Sequence, residues 1–141
     1  MKKVFILIAV IVVIGFGIGL AWYFFPKAIE ISDKSDLIVV ATPVKDSLIT
    51  SPLSISGRAR GQWYFEGSFP LELKDDNGHV IAQGHATAQG EWMTEDFVPF
   101  LGTLQFNVPS AKGRGVLVLR KDNPSGLPEH DDAIAVPVMF K

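Results

Sequence analysis

RARGQWYFEGSFPLELK, Arg58 to Lys74, sets two arginines ahead of a run of aromatic residues. Basic residues interleaved with aromatics are what single-stranded nucleic acid binds, so the side-chain directions decide what this stretch is for. Trp63, Phe65, Gly67, Phe69, Leu71 and Leu73 occupy every second position. Gln62, Tyr64, Glu66, Ser68, Pro70, Glu72 and Lys74 fall between them. Period two predicts a half-buried strand, bent near Gly67 or Pro70, because a helix would scatter the apolar set around its circumference. Most of these aromatics are therefore expected in a core and not on a stacking platform.

The same grammar extends on both sides. LIVVAT (Leu37–Thr42) reads as a first strand, and residues 43–52 as a turn region containing Leu48 and Ile49. LSISGRAR turns Leu53, Ile55, Gly57 and Ala59 one way and Ser54, Ser56, Arg58 and Arg60 the other. Asp75-Asp76-Asn77-Gly78 is a hairpin signal, since Asn-Gly supplies the positive-φ residues of a tight turn. Val80, Ala82, Gly84, Ala86 and Ala88 alternate in the return strand, and Ala88–Asp96 is irregular, pinned by Trp92 and Met93. Leu104, Phe106 and Val108 mark the next strand, GVLVLRK (Gly115–Lys121) a central one. Ala133–Phe140 closes the domain, with Ile134, Val136, Val138 and Phe140 inward. About seven short strands with regular turn signals predict an all-β, immunoglobulin-like β-sandwich over residues 37–141.

Ahead of it, Met1-Lys2-Lys3 precedes 22 uncharged residues, Val4–Phe25. As a helix they would extend roughly 33 Å, enough to cross a hydrocarbon core of about 30 Å. Residues 1–25 are thus expected to form an N-terminal transmembrane helix, an uncleaved signal anchor with an aromatic belt at Trp22–Phe25. A cleaved signal peptide is the alternative, with a poor small-residue site at Gly19-Leu20-Ala21. Residues 26–36 read as a polar stalk. The basic flank keeps the N-terminus in the cytoplasm and exports the rest. Without Lys2 and Lys3 the exported part holds 11 of the 13 Lys and Arg against 15 Asp and Glu, a net charge of −4. That excludes a polyanion as its natural partner, so no nucleic acid is expected. The chain has no cysteine, so no disulfide supports the domain and its core must suffice.

No catalytic or metal-binding pattern emerges. His79, His85 and His130 lack zinc spacing. Glu129-His130-Asp131-Asp132, with Asp122 nearby, could supply oxygen ligands for calcium but reads as a solvated acidic loop, and the Asp75–Gly78 turn lacks the ligand order of a calcium loop. Ser125, His130 and Asp132 have the residue types of a hydrolytic triad, but in one Pro-rich loop without a nucleophile elbow. Arg58, Arg60, Tyr64, Glu66 and His85 alternate outward and form the candidate binding face, with Glu66 or the Glu129–Asp132 loop as the enzymatic alternative. No cofactor is expected.

SPLSISGRARGQWYFEGSFPLEL, DDNGHVIAQG, EWMTEDFVPFLGTLQF and GVLVLRKDNPSGLPEHDDAIAVPV, in this order between about Val40 and Phe140, resemble the immunoglobulin-like domain of bacterial spore-germination proteins. The SP-L-x-I-x-G-x-A and F-E-G-S-F elements are the most specific. The resemblance implies an extracytoplasmic domain of a bacterial cell envelope that binds or scaffolds, with an envelope protein or cell-wall glycan as partner, and brings no catalytic residues.

Overall fold

The computed structural model describes residues 33–107 and 113–141. The expected anchor, residues 1–25, lies outside them, and among the described residues no helix is long and apolar enough to cross a membrane. Eight strands make up the domain: β1 Ile38–Thr42, β2 Leu48–Ile49, β3 Leu53–Arg60, β4 Ser68–Asp75, β5 Val80–Ala88, β6 Phe97–Leu104, β7 Arg114–Arg120 and β8 Ala133–Phe140. Their hydrogen-bonded order is β1-β3-β6-β5-β4-β7-β8-β2. The hairpin β4–β5 joins two layers, β1-β3-β6-β5 and β4-β7-β8-β2, that fold face to face. Phe69 on β4 meets Phe100 on β6 edge-on at 5.0 Å, and Phe106 beyond β6 meets Phe140 on β8 at 5.8 Å.

β1 lies in one layer and β2 in the other. β1 pairs antiparallel with β3, whereas β2 pairs parallel with the last strand, β8. A first strand shared between both layers, with antiparallel pairs elsewhere, is the immunoglobulin arrangement. Lys34, in the expected stalk, already pairs with Asp132 and donates to the Ala133 carbonyl at 3.2 Å. The last residues of that segment are thus tied to the domain.

Alternation places the core as expected in most strands. Leu53, Ile55 and Ala59 of β3, Phe69, Leu71 and Leu73 of β4, and Leu117 and Leu119 of β7 are all buried. Trp63, Phe69 and Phe100 are among the largest side chains fully enclosed. At about 25 cal/mol per Å² of apolar surface, such burial replaces the missing disulfides as the source of stability.

Two stretches depart from the expected pattern. The strand expected through 62–74 begins only at Ser68, because Gly61–Trp63 forms a single 3-10 turn. A Cβ on Gly61 would lie 1.9 Å from the Thr94 carbonyl oxygen and 2.3 Å from that of Trp92, so only glycine brings the chain this close to the 92–94 backbone. A two-residue turn at Glu66–Gly67 then pairs Phe65 with Ser68, which shifts the alternation by one ahead of it. Trp63 and Tyr64 are both buried, and Phe65, expected inside, is 42% exposed. The second departure is β6, which starts at Phe97, well before the expected Thr103, and includes Pro99. Met93, expected to pin the 88–96 segment, is exposed; Trp92 packs against the core.

Candidate functional site

The outer face of β1, β3 and β6 carries a shallow depression of about 580 Å³. Cross-strand register builds it. Val39 stands opposite Arg58, Arg58 opposite Pro99, and Ser56 opposite Leu101. Aliphatic groups from Val39, Ala41, Pro99 and Leu101 line the depression, together with Gln89 and with Arg58 on the middle strand. Leu101, on the central strand β6, is 54% exposed.

Arg58 and Arg60, two positions apart on β3, both lean on the ring of Phe97, at 5.0 and 4.1 Å from its centroid. Cation–π attraction of this kind is worth about 0.5–1 kcal/mol at an exposed site. Their further contacts differ. Arg60 donates from Nε to the Asp36 carbonyl at 3.0 Å and from Nη1 to the Glu95 carbonyl at 3.2 Å. It fastens the segments before β1 and β6 to the sheet. Arg58 has no hydrogen-bonding or ion-pair partner among the described residues.

Of the five residues expected on one binding face, the structure brings Arg58 and Arg60 together. Tyr64 is corrected: it is 4% exposed, packed on Phe69 at 5.3 Å, with its hydroxyl donating to the Val98 carbonyl at 2.7 Å. Burial pushes this phenol up to about 12, partly opposed by the Ala59 backbone. Glu66 sits at the tip of a two-residue turn between Phe65 and Ser68, exposed, with φ 50°. His85 is exposed on β5 beside the Ala86–Gly102 pair. Continuing that register puts it two strands from Arg58 and roughly 13 Å further along the sheet, at about 3.3 Å per residue.

The other candidates are engaged locally. Ser125 Oγ donates to Asn123 Oδ1, whose amide holds the Leu127 carbonyl and Asp131 Oδ1, both at 2.8 Å. Asp132 pairs with Lys34. Ser125 and Asp132 thus have structural partners, and the loop has a structural explanation. Among the described residues no group of three His, Cys, Asp or Glu side chains converges as a metal site. Phe97, Pro99 and Leu101 were not read from the sequence as part of the face. Their signal was present: Val98, Phe100, Gly102 and Leu104 alternate, which turns the odd positions outward.

The fold defines an immunoglobulin-like domain, and its outer face carries this exposed apolar depression. The chain belongs to the family described as the immunoglobulin-like domain of bacterial spore germination, whose model matches residues 37–127. No curated protein matches the chain.

Proposed function

We propose that this chain is a single-pass protein of the bacterial cell membrane, N-terminus cytoplasmic, that presents one non-catalytic, immunoglobulin-like binding module to the cell envelope. The observation that carries the reading is the apolar depression lined in part by Arg58 on the outer face of β1-β3-β6. Exposed apolar surface rimmed by polar groups marks interaction sites, and arginine is enriched where partners dock. The uncharged stretch Val4–Phe25, preceded by Lys2 and Lys3, supports the anchor and its orientation.

A photocrosslinking side chain placed at Leu101 in intact cells tests the binding role, with exposed Asn107 as control. A discrete adduct from Leu101 alone is the expected result; equal labelling from both positions would sink it. Alkaline washing of membranes tests the anchor. Retention is expected, and release of a shortened chain into the medium would replace the anchor by a cleaved signal.

A further inference from the structure

We infer that the outer depression docks an acidic peptide segment of a partner protein, one carboxylate on the Arg58 guanidinium and neighbouring aliphatic side chains against Pro99 and Leu101. This deepens, and rests on, the reading of that face as a binding surface.

Charge complementarity selects the occupant. The guanidinium groups of Arg58 and Arg60 lie 5.0 and 4.1 Å from one ring centroid, so they are at most about 9 Å apart. That is close to the screening length of about 8 Å at physiological salt, so their repulsion is only partly screened. The four ion pairs among the described residues use Lys34, Lys74, His79 and Arg120 as cations, not these two arginines. Arg60 is held by two backbone carbonyls. Arg58 lines the depression and has no hydrogen-bond or ion-pair partner among the described residues, so the five N–H donors of its guanidinium are uncommitted, and a carboxylate answers that fork with two parallel hydrogen bonds.

The surroundings narrow the ligand further. A part of the chain with net charge −4 repels a polyanion, so one carboxylate suits it better than a row of phosphates. Val39, Ala41, Pro99 and Leu101 span three strands, about 10 Å across at the usual strand spacing. The hydroxyl-rich face of a cell-wall glycan would leave these groups against polar partners. The methyl groups of a wall stem peptide would cover little of them. An extended protein segment that alternates an acidic residue with Ala, Val or Leu covers both features.

The test uses the full chain in detergent with p-benzoylphenylalanine at Leu101 and two degenerate pools of acetylated, amidated hexapeptides. Both pools carry only Ala, Val and Leu around one central residue, Glu in the first and Gln in the second. We expect the Glu pool to label at least about tenfold more strongly, as a charge-assisted bond implies. Arg58→Gln should abolish the preference, Arg58→Lys should retain part of it, and Lys45→Gln should leave it intact. Should Arg58→Gln unfold, Arg58→Lys and the loss of labelling in roughly 1 M salt decide the same question. Equal labelling by the pools, a preference that survives Arg58→Gln, or displacement by purified wall muropeptides would overturn the inference. A cellular adduct from Leu101 without Glu preference defeats the acidic partner and spares the binding face. Absence of both defeats the face itself.

Discussion

The hydroxyl of Tyr64 donates to the carbonyl oxygen of Val98 across 2.7 Å, tying the segment that leaves β3 to the neighbouring strand β6. The ring also packs on Phe69, so the residue serves both core and backbone. Tyr64→Phe keeps the ring and loses the bond, which should cost about 1 kcal/mol. For a domain of this size that corresponds to a melting point lower by roughly 4–8 °C. Thermal unfolding followed by Trp fluorescence measures it, and an unchanged Tm would show that the bond contributes nothing net.

The same phenol makes stability depend on alkaline pH. Free tyrosine ionises near 10.0, whereas burial raises Tyr64 to about 12. Between those values the unfolded chain releases a proton that the folded chain retains. Tyr64's contribution is therefore whole below pH 10 and is lost as pH rises towards 12. Urea unfolding of wild type and Tyr64→Phe at several pH values should show the two stabilities converging over that window.

Why Tyr64 looked like a surface residue is instructive. Strict alternation from Phe69 back to Trp63 puts Tyr64 outside, and it fails because the two-residue turn at Glu66–Gly67 pairs Phe65 with Ser68, which leaves Tyr64 on the face of Phe69. The 3-10 turn just ahead of it, at Gly61–Trp63, depends on the approach of the 92–94 backbone, a contact between segments about thirty residues apart that no local pattern encodes. The cores of β3 and β8 were legible because period two and turn residues agreed there, and β7 was legible as a continuous apolar run. Arg58 and Arg60 were legible as outward neighbours on one strand. The depression beside them was not, since it depends on the register of β3 with β6 and on a proline tolerated at Pro99.

Glu72 joins β4 to β7 on the outer face of the second layer. Its carboxylate accepts from Arg120 Nη2 at 3.1 Å and lies 3.3 Å from Lys74 Nζ. The Arg120 hydrogen bond, reinforced by Lys74, holds its pKa below the ordinary 4.5. A depressed carboxylate stabilises above the unfolded value and ceases to do so as pH falls through the folded one. Glu72→Gln should cost about 0.5–1 kcal/mol at neutral pH. That difference should disappear as the pH falls below 4.5. Chemical unfolding at pH 7 and at acid pH checks both parts.

The Phe65–Ser68 hairpin tests the turn chemistry. Glu66 and Gly67 have φ 50° and 75°, the pair of positive values of a type I′ turn. Glutamate tolerates this poorly and asparagine well, so Glu66→Asn should stabilise by about 0.5 kcal/mol. Gly67→Ala should destabilise by about 1–2 kcal/mol, the cost of a left-handed residue with a Cβ. Glu66→Gln should leave stability unchanged, because the exposed carboxylate has no partner among the described residues. The ranking Asn above Glu above Ala-at-67 is read directly from denaturation midpoints.

Gly61 provides the most demanding test of the packing. A methyl group there would meet two backbone oxygens, Thr94 at 1.9 Å and Trp92 at 2.3 Å, and backbone cannot swing aside as a flexible side chain can. Gly61→Ala must therefore push the 92–94 segment away from β3. Because Trp92 packs against the core and against the Gly67 turn, both contacts loosen with it. A loss of about 3 kcal/mol is expected, at the upper end for overpacking. Gly90→Ala, where a methyl group meets nothing within 4 Å, should change stability by less than about 0.5 kcal/mol. Comparable melting points for the two variants would mean that the approach at Gly61 does not constrain the fold. A large gap would show that the close approach at Gly61 constrains the fold.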